Sequence, residues 1–175
     1  LYYFLKQQGI SKKLSIPAFK RDEFDFYPTP PEATEALLSR EKFSKSIWEC
    51  ASGQRHISDL LLEKGYNVFS SDIIDYGTDD EIIDFLKYDG KKYDNIITNP
   101  PYSAALEFIL QAKKIAKYKI AMLLRTSFLE SKSRKQMFED KEFPLKVVYQ
   151  FSERISMYKN GKEMKNSGTT AYAWY

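Results

Sequence analysis

Two adjacent prolines, Pro100 and Pro101, constrain this chain more than any other sequence feature, because they separate an apolar run from a segment with helical spacing. The run Tyr93–Thr98 is typical of a buried strand, and Asn99-Pro100-Pro101-Tyr102 follows it directly. Proline lacks a backbone N–H and restricts the residue before it, so this turn is rigid and ends the strand. Open α/β sheets keep their ligand sites at such strand ends.

This turn combines groups that suit a planar NH2 ligand. The side-chain oxygen of Asn99 and the carbonyl of Pro100 can accept its two hydrogens, while Tyr102 stacks on its face. The alternative is an ordinary Pro-Pro turn that only ends a strand.

Length and composition restrict the class of protein. A chain of 175 residues fits one domain and is too short for two ordinary ones. Apolar residues make up 43% of it, and no apolar run reaches the roughly 20 residues that cross a bilayer. The single cysteine, Cys50, excludes an internal disulfide, and with one histidine, His56, we expect no metal site. We therefore predict a cytoplasmic protein without membrane segments, and we expect further residues beyond both ends.

A second pattern begins with the apolar segment 46–51. It continues through Ser52 and Gly53 into a helix-like segment that ends at Gly65, and then into the strand-like segment 67–71, which Asp72 closes. Strand, glycine turn, helix, strand and acid form the order typical of nucleotide or nucleoside binding, in which the acid contacts ribose hydroxyls.

The remaining segments predict alternating helices and strands. Thr29 is expected to cap a helix that begins at Pro30 and Pro31, and Ser103 to cap a helix with apolar positions 108, 109, 112, 115 and 116. Further strands are expected near residues 119–124, 145–151 and 169–175, a third strand or a helix end at 82–86, and a polar helix at 130–138.

Basic residues concentrate in two places, although the formal net charge is only +3. Residues 1–24 are interpreted as a short helix and arm, either solvated or in contact with DNA. The segment 152–168 carries four candidate phosphate contacts: Arg154, Lys159, Lys162 and Lys165. A solvated hairpin loop is the alternative for this segment.

Together these motifs resemble the class I S-adenosylmethionine-dependent methyltransferases, and more closely the small bacterial and phage DNA adenine-N6 methyltransferases. Residues Asn99-Pro100-Pro101-Tyr102 look like the catalytic motif of that family. The resemblance implies a cofactor site with the following members: Tyr27 and Thr29 over the carboxylate, Glu49, Ala51 and Gly53 at the methionine part, Asp72 with Ile73 at the ribose, Asp84 and Phe85 at the adenine, and Asn99.

The same resemblance implies a three-layer, Rossmann-like α/β fold. Its mostly parallel seven-stranded sheet has the order 3-2-1-4-5-7-6 with the last strand antiparallel. Residues 25–175 would form the methyltransferase domain, with no separate target-recognition domain.

The implied activity is transfer of a methyl group from S-adenosylmethionine to N6 of a flipped adenine in DNA. Phe128 is expected to support the far side of the base pocket. An RNA adenine or a protein glutamine amide presents the same NH2 group, and an inactive DNA-binding module is a further alternative.

One residue departs from the family pattern. Arg55 stands where the family has a second glycine in the cofactor turn. Its side chain is expected either to obstruct the cofactor or to pair with the cofactor's carboxylate.

Overall fold

Seven strands form one sheet, in the order β3-β2-β1-β4-β5-β7-β6. A computed structural model describes residues 27–44, 46–155, 157 and 170–175 of the chain. The strands are β1 (Ser46–Glu49), β2 (Asn67–Asp72), β3 (Glu81–Ile82), β4 (Tyr93–Thr98), β5 (Ala116–Arg125), β6 (Tyr149–Gln150) and β7 (Tyr172–Trp174). Neighbours are parallel from β3 to β5, and β7 is antiparallel to both β5 and β6. The expected strand order and the antiparallel last strand are confirmed.

One helix precedes β1, and the other described helices follow β1, β4 and β5. The helices are α1 (Pro31–Arg40), α2 (His56–Glu63), α3 (Ala105–Ile115) and α4 (Lys135–Phe138), with 3₁₀ turns at Phe85–Lys87, Tyr102–Ala104, Thr126–Leu129 and Lys132–Arg134. Gly65 has φ of 84° just after α2 and terminates that helix, as its sequence position predicted.

Hydrophobic residues pack on both faces of the sheet, because successive strand side chains point to opposite sides. Ile47 and Ile97 face one core, which also contains Leu37 of α1 and Leu61 of α2. The other core receives Trp48 of β1, Ile96 of β4, and Phe108 and Ala112 of α3. These two cores produce the three-layer arrangement.

Both predicted helix caps are wrong. The residue that caps α1 is Pro30, without a side-chain hydrogen bond, and Thr29 lies one position earlier. Ser103 lies inside the 3₁₀ turn Tyr102–Ala104, and α3 begins only at Ala105. In each case a backbone carbonyl takes the place of the expected hydroxyl: Pro30 accepts the N–H of Ala33, and Pro101 accepts the N–H of Ala104.

Several element bounds also differ from expectation. Strand β6 covers only two residues of the expected 145–151, and α4 covers only the end of the expected helix 130–138. Ala116 begins β5 instead of ending α3. Within the described ranges, every helix is too short or too polar to cross a bilayer.

Candidate functional site

The carboxyl ends of β1, β2 and β4 meet at one edge of the sheet, because these three strands are adjacent and parallel. A cleft of about 290 Å³ opens at this edge. It brings together nine of the predicted cofactor residues: Tyr27, Thr29, Glu49, Ala51, Asp72, Ile73, Asp84, Phe85 and Asn99. Motifs far apart in sequence therefore share one cavity.

Asn99 lies at the end of β4 with its amide held on one side only. Its Nδ2 donates to the carbonyl of Tyr27 at 3.2 Å and to Oγ1 of Thr29 at 3.0 Å. A backbone carbonyl can only accept, so these contacts identify the nitrogen of the amide. The opposite atom, Oδ1, is buried and accepts no hydrogen bond within the described part of the chain. Asn99 thus presents a fixed acceptor, and Thr29 serves as its support instead of as a helix cap.

Tyr102 lies beside the cleft in a cluster of rings. Its ring stacks on Tyr27 with centroids 5.9 Å apart, and it lies 5.7 Å from the ring of Tyr172 in β7. The guanidinium carbon of Arg125 lies 4.7 Å from the centre of the Tyr102 ring. Pro100 is buried behind this turn.

Pro101 contributes to the same turn through its backbone. Its carbonyl accepts the N–H of Ala104 at 3.0 Å, which closes the 3₁₀ turn that carries Tyr102. Pro101 also lines the cleft.

Asp72 connects the turn after β1 to the end of β2. Its Oδ2 accepts the N–H of Gly53 at 2.8 Å, and its Oδ1 accepts the N–H of Ile74 at 3.0 Å. Gly53 has φ of 54°, a conformation that glycine adopts without steric cost. Burial raises the pKa of Asp72 to about 6, against the lowering effect of these backbone donors, and nearby Asp80 raises it further. Gly53 thus acts on the site through Asp72 without lining the cleft.

Glu49 is a buried carboxyl group at the end of β1. Ser58 of α2 donates a hydrogen bond to its Oε2, and the hydroxyl groups of Ser58 and Ser70 are 2.6 Å apart. Burial raises the pKa of Glu49 well above its ordinary value, and the charges of Asp80 and Asp72 raise it further. Glu49 thus shares the cleft with the acids Asp72 and Asp84, and among the described residues the lining includes no lysine or arginine.

Arg55 points away from this cleft. Its Nε pairs with Asp59 at 2.9 Å, and its Nη1 pairs with Asp80, whose other oxygen accepts the hydroxyl of Ser52 at 2.7 Å. The backbone of Arg55 has φ of 68°, in the left-handed region where glycine is favoured. The side chain is absent from the cleft lining, so it does not fill the cavity.

Asp84 and Phe85 form the far end of the cleft. Phe85 is buried, with its ring 5.1 Å from Trp48 and 5.2 Å from Phe108. Asp84 pairs with Lys87 at 2.6 Å. An apolar surface beside an acid suits a planar heterocycle with polar edges.

The structure does not bring the predicted substrate residues together at the cleft. Phe128 does not line the cleft: its ring packs against Phe138 and Tyr175, 6.3 and 5.9 Å away, beside a separate cavity of about 380 Å³. Arg154 is exposed, and the predicted contacts Lys159, Lys162 and Lys165 lie outside the described residues.

Sequence reasoning missed three residues that the fold places at or near this edge. His56 lines the cleft at the start of α2, and burial lowers its pKa. Asp80 accepts the hydroxyl of Ser52 in the turn after β1, and Arg125 contacts the ring of the predicted residue Tyr102. Arg125 ends β5, so the strand-end rule that identified Asn99 could also have identified it.

Comparison with known proteins supports the architecture. No protein-family model matches the sequence, and no curated protein matches it significantly. A candidate RNA methyltransferase from Pyrococcus horikoshii superposes with a TM-score of 0.66 at 16% identity, covering 99% of this chain and 93% of that one. This chain has the Rossmann-like methyltransferase fold.

Two further solved structures share the fold. Ribosomal protein L11 methylase from Lactobacillus delbrueckii subsp. bulgaricus gives a TM-score of 0.55 at 12% identity, covering 82% of this chain and 75% of that one. Magnesium protoporphyrin IX methyltransferase from Synechocystis, solved with bound S-adenosylmethionine, gives 0.52 at 14% identity, covering 82% and 77%. The named substrates of these proteins differ, so the likeness concerns the fold alone.

Proposed function

We propose that this chain is an S-adenosylmethionine-dependent methyltransferase that acts on the N6 amine of adenine in DNA. The observation that carries the proposal is the buried, unpaired Oδ1 of Asn99, held at the edge of the cleft by the two hydrogen bonds of Nδ2. A buried acceptor without a partner costs about 1–3 kcal/mol, and a substrate NH2 group would supply the missing donor.

The charged residues that line the cleft suit the charge of this cofactor. S-adenosylmethionine carries a sulfonium and an ammonium against one carboxylate, and the lining offers Glu49, Asp72 and Asp84 without a lysine or arginine among the described residues. A bound cation would offset the burial and mutual repulsion that raise the pKa of Glu49 and of Asp72.

Particular residues are proposed to hold each part of the cofactor. Asp72 with Ile73 would hold the ribose, Phe85 with Asp84 the adenine, and Glu49, Ala51 and the Gly53 turn the methionine part, with Tyr27 and Thr29 over its carboxylate. When bound, the cofactor supplies an electrophilic methyl group. The proteins of this fold solved with the cofactor include the Synechocystis enzyme.

Asn99 would activate the amine by accepting a hydrogen bond. The lone pair of an exocyclic nitrogen is delocalised into the ring, which makes it a poor nucleophile. Hydrogen bonds from its two N–H groups to Asn99 Oδ1 and the Pro100 carbonyl favour a pyramidal nitrogen and stabilise the positive charge that develops on it. A separate side-chain base is not needed for this step.

DNA is the proposed substrate. Its target base would have to leave the helix and stack beside this turn. Tyr102 offers a ring next to Asn99, and base–aromatic stacking contributes about 1–3 kcal/mol toward the cost of unstacking. RNA is the second candidate, favoured by the likeness to the Pyrococcus horikoshii protein. The orientation of Arg55 away from the cleft removes the main reason to expect an inactive module.

A methyl-transfer assay tests the proposal. Purified protein is incubated with labelled S-adenosylmethionine and with mixed-sequence duplex DNA, RNA or a glutamine-containing protein, and the labelled product is digested and identified. We expect N6-methyladenine from DNA, and about 10²–10³-fold slower formation of it by the Asn99→Ala variant. Label in RNA or protein but not in DNA would overturn the substrate assignment, and no cofactor binding by calorimetry would overturn the whole proposal.

A further inference from the structure

We propose that Arg125 is a phosphate-contacting residue that covers the ring of Tyr102 in the free protein and moves to the DNA backbone when the target base enters. This inference rests on the proposed function and adds a nucleic-acid contact to the same site.

The position of Arg125 follows from the sheet. It is the last residue of β5, the strand next to β4, and it pairs in register with Tyr172 of β7. Its guanidinium carbon lies 4.7 Å from the centre of the Tyr102 ring, and the residue is exposed. Arg125 thus stands between solvent and the aromatic ring of the catalytic turn.

No acid in the described part of the chain neutralises the charge of Arg125. Among the described residues, no carboxylate lies within ion-pair distance of it. By contrast, Lys113, Lys117 and Lys119, near the opposite edge of the sheet, pair with Asp140, Asp94 and Glu41. The Arg125 side chain also hydrogen-bonds the hydroxyl of Tyr172, a neutral partner. An exposed guanidinium with neutral partners retains its capacity for an anion, and Arg binds phosphate through two parallel hydrogen bonds.

Neighbouring side chains already cover the ring of Tyr102 in the free protein. Tyr27 and Tyr172 lie within 5.9 and 5.7 Å of it, and Arg125 covers part of it as well. A base cannot stack against the part that Arg125 covers until this side chain moves. Cation–π contacts at exposed sites are weaker than base–aromatic stacking, so the exchange is favourable. The displaced guanidinium then lies beside the phosphates that flank the extruded nucleotide.

The salt dependence of DNA binding tests this inference. Affinity for a mixed-sequence duplex is measured by fluorescence anisotropy at a series of salt concentrations for the parent, Arg125→Gln and Arg125→Lys. Loss of one phosphate contact should reduce the slope of log K against log salt by about one in Arg125→Gln, and Arg125→Lys should retain the parent slope. Lys114→Gln, an exposed cation in the last turn of α3, is the matched control and should keep the parent slope.

The outcomes separate this inference from the proposed function. A parent slope in Arg125→Gln overturns the inference, even if the protein methylates DNA. A reduced slope supports it, whether or not methylation is seen. Calorimetric binding of S-adenosylmethionine should be unchanged in all these variants, and a weaker cofactor affinity in Arg125→Gln would also overturn it, because Arg125 would then act on the other half of the site.

Discussion

The turn after β1 and the turn after β4 lie side by side, yet they are built in opposite ways. In the first, the backbone hydrogen bonds are satisfied: Ser52 donates to the Ser71 carbonyl at 3.0 Å, and Gly53 donates to Asp72 at 2.8 Å. In the second, two prolines fix the backbone, and one buried acceptor, Asn99 Oδ1, is left without a donor among the described residues. The first turn is complete without a ligand, and the second is not.

This difference indicates where each ligand's binding free energy would come from. A ligand at the β1 turn would gain from charge, because Glu49 and Asp72 are buried acids with raised pKa values. A ligand at the β4 turn would gain by supplying a hydrogen bond to an atom that already pays the desolvation penalty. Mutations in the two turns should therefore change different measured quantities.

The largest expected effect is on the β4 turn. Asn99→Ala removes the acceptor and should lower the methyl-transfer rate about 10²–10³-fold, the loss typical when one preorganised transition-state contact is removed. Cofactor affinity by calorimetry should change little. Single-turnover kinetics on adenine-containing DNA measure the rate.

Asn95→Ala is the matched control for this variant. Asn95 is also a buried amide of β4, but its Nδ2 donates to Ser44 and Ser46 away from the cleft. We expect it to lower stability while the folded protein keeps the parent rate. Equal rate losses in both variants would contradict a direct role for Asn99.

The next effect concerns the β1 turn. Asp72→Ala should weaken S-adenosylmethionine binding about 10- to 100-fold, because hydrogen bonds to a charged group contribute about 1.5–3 kcal/mol. The transfer rate at saturating cofactor should remain close to that of the parent. A fall in rate with unchanged affinity would contradict the assignment of Asp72 to the cofactor half of the site.

A smaller effect is expected from pH. The pKa of Asp72 is raised to about 6, so its carboxyl group is ionised above that pH and protonated below it. Cofactor affinity should therefore fall as pH decreases through about 6, and calorimetry across pH 5 to 8 measures the change. In the free protein, the raised pKa of Asp72 affects folding stability in the opposite direction. Protonated Asp72 contributes stability that is fully present below its unfolded-state pKa and is lost as pH rises through about 6.

Two variants identify the group responsible for this pH dependence. Asp72→Asn should remove the step near pH 6. His56→Gln should keep it, although His56 also lines the cleft. If the step disappears in His56→Gln and persists in Asp72→Asn, the assignment to Asp72 is wrong.

The smallest effect concerns Arg55. Arg55→Gly relieves a left-handed backbone but leaves the largely buried Asp80 without its charge partner. We expect a net loss of about 1–2 kcal/mol in the free energy of unfolding, measured by urea denaturation. Asp59→Asn breaks only the exposed pair and should cost about 0.3–0.5 kcal/mol. A variant more stable than the parent would show that the strain outweighs the ion pairs.

The strand order was predictable from the resemblance to the class I methyltransferases, whereas local signals predicted individual strands and the residues at their ends. Apolar runs such as Tyr93–Thr98 are buried on both faces and keep their predicted bounds. The acids Glu49 and Asp72 follow their strands at the edge where the parallel order places them together. Hydrophobic periodicity and the position of a polar residue at a strand end are local signals, and both correctly predicted these features of the fold.

Long-range contacts were not predictable in the same way. Thr29 satisfies the local rule for a helix cap, but its hydroxyl accepts from Asn99, seventy residues away. Phe128 follows β5 as a pocket residue would, but the 3₁₀ turn Thr126–Leu129 directs its ring into the core. The obstruction expected from Arg55 fails for a similar reason, since its partner Asp80 is supplied by a distant loop. A sequence shows which groups are present, and only the fold shows which of them meet.

The position of β7 has a consequence for how the chain folds. It follows β6 in sequence but lies between β5 and β6 in the sheet, and the described pairing of β6 is with β7 alone. During synthesis β5 therefore has an open edge until residues 172–174 leave the ribosome, and β6 has no place to pair. Completion of the sheet depends on the insertion of β7 after β6 has been made, and a nascent chain stalled before that point would expose an apolar strand edge to chaperones or to other chains.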